Sequence, residues 1–207
     1  MKVELIAMTP DPEKVIENAG RTCYLSFDRA GPDSHKRFIR MLVRNGHHTV
    51  FEHAVATFRI KGVSRALTHQ LVRHRLASFS QQSQRYVSEK DFEVVEPDTI
   101  RNKPEAHEIF EKQIEQARQA YRQLQEMGVK NEDARFVLPN AVCSEIVITA
   151  NFREWRHIIG LRGAKYAQWE IRRLSLEILK ILKENAPAVF EDFDIDPEDT
   201  VVTLRSL

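Results

Sequence analysis

From Val63 to about Ala77 the residues repeat at helical spacing, yet the helix they describe has no plainly solvent-facing side. Ala66 and Leu67 share one side with Gln70, Arg73 and His74, while Val72 and Leu76 lie across from them. If both sides are packed, the guanidiniums cannot be left bare, because an unpaired buried charge costs several kcal/mol or more. The fold must therefore bring acidic partners or a bound anion to this segment.

The chain continues through Ser78-Phe79-Ser80-Gln81-Gln82-Ser83-Gln84-Arg85-Tyr86, so a basic triplet on a helix end, Arg73-His74-Arg75, runs into a hydroxyl- and amide-rich loop. The Ser80 and Ser83 hydroxyls and the loop's backbone N–H groups can donate to phosphate oxygens. Arg73, Arg75 and Arg85 add charge with a bidentate geometry that lysine cannot match. A plainer reading makes the triplet a solvated basic helix end, favourable near the negative pole of the helix dipole. Spacing alone leaves both readings open.

Length and composition narrow the classes. A chain of 207 residues, 42% hydrophobic and 29% charged, is ordinary globular material for one domain spanning 1–207. Lys plus Arg total 31 against 30 for Asp plus Glu, so the long-range positive field of a general nucleic-acid binder is missing and any anion must be gripped locally. Cys23 and Cys143 stand outside any CxxC spacing and read as core thiols. Met1 to Thr9 lacks the pattern of a signal peptide, and no stretch reaches membrane-spanning length; the expectation is a cytoplasmic protein without a membrane or nucleic-acid partner.

Along the chain, Val3, Leu5 and Ala7 mark a first strand and Pro10 to Pro12 open a helix to about Tyr24. A helix over 34–44 buries Phe38, Ile39, Leu42 and Val43 and stops at Asn45-Gly46. Phe51 to Ile60 is β-rich, Phe110 to Leu124 lies on a long helix closed by Gly128, and a short helix starts at Asn131. A β-rich run covers 141–149, and helices cover 151–161 and 167 to about 185. The architecture expected is α+β, a central mostly antiparallel sheet packed by long helices.

Arg73, His74, Arg75, Ser78, Ser83 and Arg85 occupy the string RHRxxSxxxxSxR, which resembles the signature of the flavin-dependent thymidylate synthases. Three further blocks are similar to that family: Asn45 to His53, Ala134 to Pro139, and Asn151 to His157 with Leu161-Arg162 and Ala167 to Ile171. The resemblance implies that FAD is held by Thr49, Arg73, His74, Arg75, Gln81, Asn151, Phe152, Arg153 and His157. It assigns dUMP to Gln70, Arg73, Gln81, Gln82, Ser83, Gln84, Arg85 and Arg135, with Arg162 against the pyrimidine as the catalytic group. His47 and Tyr86 are candidates for the folate pocket. The reaction implied is reductive methylation of dUMP to dTMP, with 5,10-methylenetetrahydrofolate as carbon donor and NADPH reducing the flavin, in a homotetramer whose active sites are shared between subunits.

The residues themselves agree with a reaction that needs no enzyme nucleophile, since both cysteines lie outside the matching blocks. A permanently charged Arg beside the ring favours ionisation at N3 and so polarises the pyrimidine. Where some family members have Glu in the loop this chain has Gln81, which binds but is no base, and Tyr166 stands where others carry His. His69 and His74 are five apart and no HExxH occurs, so no metal is expected. Trp155, Trp169 and Tyr121 read as packing residues, and His35, His48, His69 and His107 as surface or hydrogen-bonded histidines. Asn151 opens a helix as a cap. The competing reading from another class is an RNA- or nucleotide-binding module, in which Phe79 and Tyr86 stack bases beside the Arg73 to Arg85 cations.

Overall fold

Burial alternates residue by residue along β4 (Cys143–Asn151) and along β2 (Val55–Ser64) as far as Lys61, in the chain-order numbering below, as expected for strands with two distinct faces. The computed structural model describes residues 1–196 and 201–205. It opens with β1 (Lys2–Met8), α1 (Pro12–Thr22), a 3-10 turn at Phe27–Arg29, α2 (Ser34–Arg44), a second 3-10 turn at His48–His53, and β2. Next come α3 (Arg65–Leu71), β3 (Ser78–Gln81), α4 (Asp98–Arg101), α5 (Pro104–Glu126), α6 (Asn131–Ala134) with a 3-10 turn at Arg135–Val137, and β4. The remainder is α7 (Phe152–Arg162), α8 (Trp169–Asn185), α9 (Pro187–Phe190), β5 (Phe193–Asp196) and β6 (Val201–Leu204). The sheet order is β1-β2-β4-β3, and β5 pairs antiparallel with β6. This is the α+β class expected, with antiparallel sheets packed by helices.

Two compact units divide the chain. The first comprises 1–2, 60–70 and 80–146 and the second 3–59, 71–79 and 147–207. In the first, α5 turns Ile114, Ala117 and Tyr121 inward as one stripe, and Phe92 and Val142 join the first two in its core. In the second, Trp155 is fully buried, meets Phe58 edge-on at 5.1 Å and donates from Nε1 to the Ala56 carbonyl at 3.1 Å. Ile171, Leu174, Ile178 and Leu182 bury one face of α8, each such side chain stabilising by about 1.5–3 kcal/mol. Val202 N–H donates to the Gly163 carbonyl at 2.8 Å and ties β6 to the end of α7.

Helix ends follow local chemistry. Gly46 (φ 68) closes α2 with His47 N–H on the Leu42 carbonyl and Gly46 N–H on the Val43 carbonyl, and Gly128 (φ 82) closes α5 in the same way through Leu124 and Gln125. Asn151 Oδ1 accepts the Glu154 N–H at 2.9 Å and caps α7.

Five expectations change. The helix expected over Val63 to Ala77 covers only Arg65–Leu71, because β2 runs on through Gly62 (φ 66) and Ser64 Oγ caps the new helix by accepting the Leu67 N–H. Val72 and Leu76 are exposed, Leu76 at 78%, so that segment is not packed on both sides. The hydroxyl-rich loop starts as a strand, since Ser78–Gln81 pairs in the sheet and Gln82 N–H goes on to donate to the Glu145 carbonyl at 2.8 Å. Phe51 belongs to a 3-10 turn instead of a strand, and Cys23 is exposed and Cys143 half-buried, so neither is a core thiol.

Candidate active site

Helix α7 lines a cleft of about 1580 Å³ that lies within the second unit. Arg153, His157, Gly160 and Leu161 recur there at helical spacing, Asn151 stands at the mouth of the helix, and Arg73, His74 and Arg75 arrive from the segment after α3. Among the described residues, Arg156 and Arg162 bring the lining guanidiniums to five against the carboxylates of Glu52 and Glu154, so the lining is cationic although the chain is nearly neutral.

Arg162 Nε donates to His74 Nε2 at 2.9 Å, and His74 Nδ1 faces Glu154 Oε1 at 3.3 Å. The rings of His74 and His157 meet edge to face with centroids 5.5 Å apart. Burial, then the positive charge of Arg162, pulls the His74 pKa down to about 4, and burial pushes the Glu154 carboxyl above its usual value. Burial and the nearby Arg73 lower the Arg162 pKa from a level so high that the guanidinium stays charged at neutral pH. His74, Glu154 and His157 offer ligand atoms within 4.8 Å of one another. Glu154 and His157 lie three apart on α7, and His74 joins them from the segment after α3. Within the group, the nitrogen of His74 turned to Glu154 is Nδ1, while Nε2 accepts from Arg162.

Two other cleft arginines are tied. Arg156 makes a buried two-pronged pair with Asp192, at 2.7 and 2.6 Å, and also donates to the Val189 carbonyl. Arg153 meets Glu52 at 2.6 Å at the surface. His48, stacked on Phe51, has its pKa lowered by burial and then by Arg156.

A second cluster lies within the first unit. Gln81 donates to Thr68 Oγ1 (2.9 Å) and Ser144 Oγ (3.0 Å), and Gln82 donates to Glu89 Oε1 (3.2 Å). The Ser83 carbonyl accepts from Tyr86 and Val87, which turns the chain there, and Ser83 Oγ accepts from the Arg85 N–H. Arg85 and Arg135 converge on one residue, Arg85 on the Glu132 carboxylate at 3.4 Å and Arg135 on its carbonyl at 3.0 Å. Burial, followed by the charge of Arg135, lowers the Arg65 pKa, and burial raises that of Glu89.

Of the residues assigned to FAD, the structure gathers Arg73, His74, Arg75, Asn151, Arg153 and His157 in the cleft. Thr49 sits exposed in the 3-10 turn, Gln81 belongs to the other cluster, and Phe152 is fully buried against Phe190. Among those assigned to dUMP, Gln81, Gln82, Ser83, Gln84, Arg85, Arg135 and Gln70, at the end of α3, lie in the first unit, and Arg73 and Arg162 in the second. His47 is exposed beside the turn, and Tyr86 is 80% exposed with Arg85 over its ring. Sequence reasoning missed Glu52, Arg156, Arg65, Glu89 and Glu154. Glu154 was hidden because an acid three residues after a cap already has a local explanation.

Residues 4–188 match the family model described as thymidylate synthase complementing protein. A flavin-dependent thymidylate synthase of Geobacter sulfurreducens is 44% identical over 200 residues, covering 93% of this chain and 86% of the relative. One from Corynebacterium diphtheriae is 42% identical, covering 89% and 80%. The crystal structure of thymidylate synthase X from Helicobacter pylori with FAD and dUMP superposes with a TM-score of 0.80 at 25% identity, covering 93% of this chain and 98% of that one. With its cationic cleft, its cluster of amides and arginines, and these relatives, the chain belongs to the flavin-dependent thymidylate synthases.

Proposed function

We propose a division of labour among this chain's residues for the thymidylate synthase reaction, which converts dUMP to dTMP. The carrying observation is the cleft of about 1580 Å³ lined, among the described residues, by five guanidiniums and two carboxylates. It is roomier than the roughly 300–1,000 Å³ of an ordinary small-molecule pocket and suits a long, doubly charged dinucleotide. There Arg73, His74, Arg75, Asn151, Arg153 and His157 hold FAD, with Thr49, Phe152 and Gln81 in the same set. Bound FAD, once reduced by NADPH, supplies the hydride.

Ser83, Gln84, Arg85 and Arg135 grip the dUMP phosphate, with Gln70, Arg73, Gln81 and Gln82 beside them; the convergence of Arg85 and Arg135 on Glu132 supports this. Arg162 lies against the pyrimidine and stabilises negative charge as it develops on the ring. Carbon comes from 5,10-methylenetetrahydrofolate, with His47 and Tyr86 at the folate pocket. Residues 1–207 act as one functional domain, in a homotetramer with shared sites. Leu76, Tyr86, Phe136 and Tyr166, each close to 80% exposed and close to the family blocks, support burial against other subunits. Cytoplasmic residence belongs to the same reading; among the described residues no helix is long and apolar enough to cross a membrane.

Purified protein should be yellow, bleach with NADPH, and release tritium from carbon-5-labelled dUMP when methylenetetrahydrofolate is supplied. A colourless preparation that releases none overturns the reading.

A further inference from the structure

The bond from Arg162 favours one tautomer of His74. Arg162 can only donate, so the 2.9 Å bond from its Nε requires a lone pair on His74 Nε2 and leaves any imidazole proton on Nδ1. With the pKa of His74 held near 4, the ring is neutral at physiological pH and Nδ1 does carry that proton. Around the ring, among the described residues, stand the charges of Arg162 and Arg73, the imidazole of His157 and the carboxylate of Glu154, whose Oε1 lies 3.3 Å from Nδ1. Glu154 is 5% exposed and His74 4%, so water does not compete freely for that proton.

The capping bond of α7 uses the Glu154 backbone N–H, which leaves the carboxylate unused by the helix end. A charge buried to this degree is costly unless a partner answers it. The bond to Arg162 gives the arrangement a direction. An Nδ1–H tautomer opposite Glu154 presents a lone pair to Arg162, whereas the Nε2–H tautomer would set two donors against each other.

We propose that Glu154 is a positioning residue, acting from behind His74 to fix its tautomer and thereby to hold the Arg162 guanidinium at the reaction centre. The inference rests on the role proposed for Arg162, but its geometric half can be tested without turnover. Glu154 is assigned to neither FAD nor dUMP, and its influence passes through the imidazole that it faces. The same logic orients histidines behind metal centres, where removing the outer partner costs about 10- to 100-fold.

The experiment uses FAD-loaded protein labelled with nitrogen-15 histidine, with the His74 signals assigned by their disappearance in His74→Asn. Wild type should show Nδ1 protonated and Nε2 bare. In Glu154→Ala, and in Glu154→Leu should the alanine variant not fold, the tautomers should mix and kcat should fall about 10-fold or more, with FAD content and melting temperature held. Glu154→Gln, whose carbonyl can accept from Nδ1, should restore both to within about threefold. A fixed Nδ1–H tautomer and an unchanged kcat in the alanine or leucine variant overturn the proposal. If the tautomers mix on removal of Glu154 but Arg162→Ala keeps full activity, Glu154's hold on His74 stands and the catalytic role of Arg162 fails.

Discussion

Three arginines of the second compact unit and Arg65 of the first are held differently. In the second, Arg156 is locked to Asp192, Arg153 to Glu52, and Arg162 donates to His74. In the first, the guanidinium of Arg65 makes no hydrogen bond or ion pair among the described residues, while Glu89 accepts from Gln82 instead. Fixed cations give a cleft whose shape precedes its ligand. Amides and a loosely held guanidinium suit an anion whose arrival completes their bonding, at the cost of ordering them on binding.

Breaking a fixed pair should produce the largest effect. Asp192→Ala leaves the Arg156 charge buried alone and should cost about 3–5 kcal/mol, read as a lowered denaturant midpoint with unchanged slope. Arg162→Ala should reduce tritium release from dUMP by about 10²–10³-fold with FAD content unaltered, the loss expected for one electrostatic donor. Undiminished release would remove Arg162 from the chemistry.

On the other unit the effect should fall on substrate and spare the flavin. Arg135→Ala should weaken dUMP binding by about 1.5–3 kcal/mol, seen by calorimetry, with no change in FAD retention. Equal losses of both ligands would erase the contrast. The gentlest test is acid. The pKa of His74 is depressed from 6.5 in the unfolded chain to about 4, so the unfolded state binds the extra proton first. Its contribution to stability is complete above 6.5 and drains away as pH falls towards about 4, so melting temperature should decline across that window and decline less in His74→Asn.

Much of this was legible in the chain. Gly46 and Gly128 announced their helix ends because only the backbone conformation there matters, and that is a local property. The stretch from Val72 to Ala77 misled because its residues favour a helix locally, while the end of α3 is decided by partners distant in sequence: Arg162 on His74 and Glu145 beyond Gln81. The arginines of the signature were visible as a string. Their carboxylate neighbours were not, since Glu52, Glu132 and Glu154 acquire meaning only once strands and turns bring them alongside. Cys23 looked like core material by residue type alone, and only the fold shows it at the surface.

The tie between Val202 and the Gly163 carbonyl, with the Arg156 anchor a few residues upstream on the same helix, makes the C-terminal strand a gauge for the cleft. Occupancy that steadies α7 must slow hydrogen exchange at the Val202 amide, some forty residues along the chain from that helix's end, so one backbone proton can report flavin loading without any optical signal.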